Sequence, residues 1–288
     1  MPAFTVGVDM GGTKIEAGLV DPSGRVLKTF KIPTEGEKGK EAVLSNIFSC
    51  ITAVWDRRVK AIGIGVPGAT DGNTVYKLPN VPAWKNVGLG AALRKKFRVP
   101  VIIENDAKCF ALAEAVFGAG CGNDSVLGVI VGTGVGVGVI IDGSIYGGKD
   151  NLAGEFGMIT YREHNIEHYC TGRFIREEAR RLKIRAANPL EVEQLARKGN
   201  AAAKKAYLSM GENLGYALSI MINAYNPDAI VLGGGMTKAY DLFRKSMKES
   251  LKKNLYYDQP KRTPIFRAVI DRAGVVGASI LASRAVSE

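Results

Sequence analysis

Residues 4–32 read FTVGVDMGGTKIEAGLVDPSGRVLKTFKI, and the fold turns on where the glycines fall in them. The apolar run 4–8 reads as a buried strand ending at Asp9. Gly11 and Gly12 then allow a tight turn that no Cβ obstructs. Lys14–Val20 resumes alternation and reads as a strand returning antiparallel to the first. Asp21-Pro22-Ser23-Gly24 is a second turn, and residues 25–32 form a third strand. A glycine pair followed directly by a returning strand is neither a dinucleotide fingerprint nor a P-loop, since both need a helix after the glycines. What it offers is a hairpin tip with free backbone N–H groups, the Thr13 hydroxyl, Lys14 and the Asp9 carboxylate. Such a tip suits a phosphate and its metal ion.

The same order returns later in the chain. Ser125–Val131 reads as an apolar strand, Gly132-Thr133-Gly134 as a glycine tip, and Val135–Ile141 as a returning strand. Asp142-Gly143 is a hairpin turn, and residues 144–146 begin a third strand. Two such units predict a duplicated α/β fold of two lobes, with a cleft between them and one glycine tip from each side. A nucleotide's phosphates would then be gripped from both directions. A length of 288 residues is long for one core and comfortable for two lobes.

Bulk composition narrows the function. Hydrophobic residues make up 46%, as in an ordinary globule. No basic segment followed by an apolar one opens the chain, so no signal peptide is expected. The most membrane-like stretch, residues 126–141, is short and broken by glycines, which predicts no bilayer span. Cys50, Cys109, Cys121 and Cys170 form no CxxC pattern, and a reduced, cytoplasmic protein is expected. The formal charge of +11 raises the question of a nucleic-acid partner. The densest basic stretch, residues 173–205, is interleaved with Glu177, Glu178, Glu191 and Glu193. It therefore reads as a solvated helical face, and no nucleic acid is expected.

Residues 40–58 have helical periodicity, and residues 59–66 read as a strand. Gly63, Gly65 and Gly68 match the dinucleotide pattern formally, but the turn 69–73 follows instead of a helix, so the match is discarded. Residues 78–84 form a proline-bracketed loop ending at Trp84, of the kind that lines pockets. Residues 99–103 read as a strand that emerges at Glu104-Asn105-Asp106, ahead of an apolar helix over residues 107–117. A carboxylate at the C-terminal end of such a strand faces the ligand crevice in α/β domains, which makes Asp106 a candidate catalytic base. Asp106 also fits the cap of the following helix, and spacing does not separate the two readings. A long helix spans residues 206–225. Gly233-Gly234-Gly235 then follows a strand at 229–232 and precedes a helix, so the backbone can approach a flat ligand such as adenine, or simply turn. A last strand at 265–269 and a helix at 273–286 close the chain.

Together these residues resemble the ROK family of sugar kinases, within the hexokinase and actin-like superfamily. The resemblance covers nearly the whole length. Asp9, Gly11, Gly12, Thr13 and Lys14 are similar to the family's first phosphate loop, and Gly132, Thr133 and Gly134 to its second. Gly68, Asn80 and Trp84 resemble its sugar-pocket loop, and Glu104-Asn105-Asp106-Ala107 its catalytic segment. Glu155 and Glu167 fall in its next sugar-contacting stretches, and Gly233, Gly234 and Gly235 on the adenosine side. The resemblance implies a duplicated actin-like (ribonuclease H-like) fold. Its N-terminal lobe would run over residues 1–106, with helix 273–288 packed back on it, and its C-terminal lobe over 107–272. It implies ATP-dependent phosphorylation of a hexose hydroxyl, usually the 6-OH. Asp106 would act as base, and Mg²⁺ would be reached by Asp9 through water. Asn80, Asn105, Glu155 and Glu167 would bond the sugar. A homodimer is also implied.

The departures concern metal and sugar. The family usually has histidine after its Glu-x-Gly, where Met158 stands here, and a cysteine-rich zinc motif before the Glu167 position. Residues 159–166 contain no cysteine, so no zinc site is expected. His164 or His168 could replace the lost sugar contact, although both read more simply as solvated loop residues. Alternatives within the resemblance are an N-acetylhexosamine or fructose kinase, or a polyphosphate-dependent glucokinase. A sugar-responsive repressor is disfavoured, because eight residues before Asp9 leave no room for a DNA-reading segment.

Overall fold

The computed structural model describes residues 3–78, 81 and 84–286. Its elements run β1 (Thr5–Met10), β2 (Lys14–Val20), β3 (Val26–Pro33), α1 (Lys40–Val54), β4 (Ala61–Val66), β5 (Val75–Lys77), β6 (Lys85–Val87), α2 (Leu89–Phe97), β7 (Val101–Asn105) and α3 (Asp106–Phe117). They continue with β8 (Ser125–Val131), β9 (Val135–Ile141), β10 (Ser144–Ile145), β11 (Thr160–Tyr161), β12 (His164–Asn165), α4 (Ile166–Cys170), α5 (Gly172–Arg181), α6 (Pro189–Arg197) and α7 (Ala201–Tyr225). The chain ends with β13 (Ala229–Gly233), α8 (Tyr240–Asn254), β14 (Ile265–Arg267) and α9 (Ala273–Arg284).

Two five-stranded sheets carry the fold, in the orders β3-β2-β1-β4-β7 and β10-β9-β8-β13-β14. Strand for strand the orders match. In the first, β3, β2 and β1 pair antiparallel, and β1, β4 and β7 run parallel. In the second, β8, β13 and β14 run parallel, and β9 pairs antiparallel with β10. The repeat heard in the sequence is therefore a repeat of sheet topology. The echo is shortened at one point, since β10 has two residues where β3 has eight.

The chain divides into two compact units. One holds residues 1–124, 138–153 and 269–288, and the other holds 125–137 and 154–268. The boundary expected at residue 106 differs from this division. Helix α3 belongs to the first unit, where it packs on β4, β7 and α9. Residues 138–153 return to that unit as well, because Gly138 approaches α3 so closely that a Cβ there would sit 2.5 Å from the Ala111 side chain. The crossing falls inside β9, after Val137.

Alternating side chains account for the cores. In the first unit, Val6, Val8, Ile15, Ile62, Ile64 and Ile103 are buried with Val43, Ile47 and Ile51 of α1. Trp84, expected to line a pocket, is 1% exposed and lies in this core instead. Helix α9 lies against β1 and β4. Gly63 makes this possible: a Cβ there would stand 1.8 Å from the Ala278 carbonyl oxygen. In the second unit, α7 buries Met210, Leu214, Leu218 and Ile222 and packs against α8. No described helix is long and apolar enough to cross a membrane.

Candidate active site

The first unit brings its chemistry to one sheet edge. Asp9 on β1 pairs in register with Gly65 on β4, which pairs with Glu104 on β7. The middle position has no side chain, and an added Cβ would lie 3.3 Å from the Asp106 Cα. Asp9 and the Glu104-Asn105-Asp106 segment thus stand at the carboxyl ends of two parallel strands that flank β4, where α/β sheets take their ligands. The first glycine tip continues from the same end of β1.

Asp106 opens α3, and the cap falls one residue earlier. Asn105 is in extended conformation, and its Oδ1 accepts from the N–H groups of Ala107 (3.0 Å) and Lys108 (3.3 Å). Capping therefore does not require Asp106, although its Oδ1 also accepts from its neighbour Ala107 N at 2.8 Å. Because Asn105 caps through Oδ1, its amide nitrogen makes no hydrogen bond to the described residues, which leaves a donor for a ligand hydroxyl.

Asp9 is a half-buried carboxylate whose side chain accepts no hydrogen bond from the described residues. Burial raises its pKa; Lys14 opposes the shift and Glu16 adds to it. Helix α9 begins beside it, and Gly274 permits the approach: a Cβ there would lie 2.6 Å from the Asp9 Cγ. A desolvated carboxylate with few partners suits a hydrated cation, which needs one or two protein carboxylates and keeps its waters.

The two glycine tips repeat in detail. Gly11 N–H closes the first turn on the Lys14 carbonyl (2.8 Å), and Gly132 N–H closes the second on that of Gly134 (2.9 Å). These two N–H groups, expected to hold phosphate, are thus taken up within the turns. The next two in each tip, at Gly12 and Thr13 and at Thr133 and Gly134, make no hydrogen bond to the described residues. Each tip therefore presents a pair of adjacent donors to an anion. Thr34 braces the first tip, its hydroxyl donating to the Gly11 carbonyl at 2.7 Å and its N–H to that of Thr13. Lys14 is exposed beside it, 3.8 Å from Glu16.

In the second unit Glu167 sits in the first turn of α4 and accepts from Val135 N at 3.0 Å through Oε2. It braces the second tip, which sequence reasoning assigned to phosphate alone. Glu155 is exposed at the start of a short 3-10 turn, residues 156–158. Gly233 ends β13, Gly234 has φ 88°, and Gly235 opens the turn into α8. Gly68 lies against the Lys77 carbonyl after β4. Asn80 lies outside the described residues.

The family model described as the ROK family matches residues 5–285. The chain belongs to the ROK family. The glucokinase of Thermotoga maritima is 30% identical, over 95% of this chain and 95% of its own. Two solved ROK structures share the fold. The glucokinase from Streptomyces griseus, in complex with glucose and AMPPNP, is 29% identical with TM-score 0.83, covering 98% of this chain and 99% of its own. The hexokinase from Thermus thermophilus is 31% identical with TM-score 0.86, over 98% and 99%.

This ROK chain differs from the sequence reading around Met158. Met158 is exposed, and its sulfur accepts from Asn165 Nδ2 at 3.8 Å. His168 is not a free loop residue: it stacks on His164 at 3.9 Å, and its Nε2 meets the Glu177 carboxylate at 3.0 Å. Burial lowers its pKa, partly offset by Glu177. Burial pushes the Cys170 thiol far above its ordinary range. Among the described residues no three His, Cys, Asp or Glu side chains converge as a metal site. Sequence reasoning also missed Lys108, Asn151 and Gly274, which acquire meaning only through their neighbours in space.

Proposed function

We propose that the chain phosphorylates a hexose hydroxyl at the expense of ATP, glucose or a close relative being the acceptor and the 6-OH the attacking group. The observation that carries this reading is Asp106 at the same sheet edge as Asp9 and the first glycine tip. Asp106 would accept the hydroxyl proton as the oxygen attacks the γ-phosphorus. Phosphoryl transfer asks the protein mostly for positioning and charge stabilisation. The N–H pairs at Gly12 and Thr13 and at Thr133 and Gly134 would supply that stabilisation to phosphate oxygens, with Lys14 beside the first. Asp9 would hold the hydrated Mg²⁺, which neutralises phosphate charge when bound. Asn105 Nδ2, Glu155 and Glu167 would bond sugar hydroxyls, together with Asn80, and Gly233–Gly235 would face the adenosine. A missing hydroxyl leaves such groups unpaired, and discrimination follows from that.

The zinc implied by the wider family does not fit the residues present: Met158 replaces its histidine, and no cysteine stands between Met158 and Glu167. We infer a cytoplasmic homodimer without a zinc requirement. An ADP-release assay over a panel of glucose, mannose, fructose and N-acetylhexosamines, with ATP or polyphosphate as donor, tests the reading. Turnover of a hexose with Mg-ATP is expected, and no turnover of any sugar with either donor would overturn it. Asp106→Asn should lower kcat by about 10²–10⁴-fold while leaving the sugar dissociation constant near that of the parent protein. Near-normal turnover in that variant would remove Asp106 as base.

A further inference from the structure

Two residues beyond Asp106 the chain breaks two rules at once. Lys108 is 2% exposed, and it sits in the first turn of α3, where the helix dipole disfavours a cation. A buried ammonium persists only when it is paired and hydrogen-bonded. Here Nζ donates to the Asn151 carbonyl oxygen (2.8 Å) and to Asn151 Oδ1 (2.7 Å), and it lies 3.7 Å from Glu104 Oε1. Asn151 is held in the left-handed region, at φ 55°. Its Nδ2 donates to both Glu104 oxygens (2.9 and 3.2 Å) and to the Thr70 carbonyl (3.1 Å). Glu104 Oε1 in turn accepts from Asn105 N at 2.6 Å.

One asparagine therefore ties three segments together: the catalytic segment at Glu104 and Lys108, the loop of Gly68 at Thr70, and its own loop, which runs on to Glu155. We infer that Lys108, Glu104 and Asn151 form a clasp that positions Asp106 against the sugar loop, with Lys108 and Asn151 as positioning residues. This rests on the sugar-kinase reading above. A clasp of this kind matters because a displacement of about 1 Å between base and hydroxyl is enough to lower turnover about a hundred-fold. An arrangement that sets a buried charge against both desolvation and the helix dipole is expected where function, not packing, selects it.

The test uses the full chain with Asn151→Gly, Lys108→Met and the double variant. Glycine adopts φ 55° without strain, so the first change removes the side chain and spares the loop. Each single variant is expected to lose about ten- to a hundred-fold in kcat at a temperature well below its Tm, with KM for ATP within about two-fold of the parent. The double variant should lose no more than the worse single, since the residues act as one unit. A folded Asn151→Gly with parental kcat overturns the inference whatever happens to its Tm, as does a multiplicative loss in the double variant. Should Lys108→Met fail to fold, the kcat of Asn151→Gly decides alone. A parent protein without sugar turnover would sink the function itself; a turning-over parent with unimpaired clasp variants sinks only the clasp.

Discussion

Asp9, in its proposed role, would serve chemistry against stability. Its pKa is raised by burial, so the sign of its effect is fixed. Below its ordinary value near 3.8 the carboxyl is protonated in both folded and unfolded chains and contributes nothing. As pH rises from there towards the raised folded value, the unfolded chain ionises while the folded one stays protonated, and stability falls. Asp9→Asn is therefore expected to melt above the parent protein at pH 7–8 without ligand, with the difference vanishing towards pH 4, while phosphoryl transfer drops about a hundred-fold or more. Thermal melts over that range check it, and a lower Tm for the variant at neutral pH would refute it. Residues of this kind were legible when their surroundings in sequence were distinctive. Asp9 and Asp106 follow strands and adjoin a glycine tip or a helix start. Asn151 gave no such signal, since its role comes from a positive φ and from partners at Thr70, Glu104 and Lys108.

Elements were legible in proportion to their length and period. Lys14–Val20, Ser125–Val131 and Val135–Ile141 came out with the bounds of β2, β8 and β9, because alternation or an apolar run stops at a glycine tip. The two- and three-residue strands β5, β6, β11 and β12 carry no period to detect, and the five-residue α4 barely completes a turn. Helix α9 was expected from its small residues, but their reason lies across the interface. Gly63 meets the Ala278 carbonyl and Gly7 that of Val275, so the helix backbone rests almost directly on the sheet. Gly63→Ala would drive a methyl into a carbonyl, and a loss of about 3 kcal/mol is expected by denaturant titration, at the upper end for overpacked sites. A loss under about 0.5 kcal/mol would mean that α9 can lift away without penalty.

At the scale of the molecule the duplication was legible and the return of residues 138–153 was not. The sequence reading places a cut at residue 106 and returns helix 273–288 to the first lobe, whereas this chain also passes between its units inside β9, and residues 138–153 belong with the first unit because of their packing on α3. No order of residues announces such a return. Metal dependence is also a property of the whole protein. With Met158 in place of the family's histidine and no cysteine between it and Glu167, chelator treatment is expected to leave the Tm unchanged in the absence of nucleotide, while turnover stops until Mg²⁺ is restored. A melting point that falls on chelation, recovered by zinc, would contradict this.

The matching strand orders carry one more consequence. Where β7 ends in Glu104-Asn105 and passes into Asp106, its counterpart β14 passes into Ala268-Val269-Ile270, three residues with no proton acceptor. The symmetry of the scaffold is not matched in the residues at these two strand ends. Calorimetric titration should count a single carbohydrate per polypeptide, not the pair that a true dyad would invite.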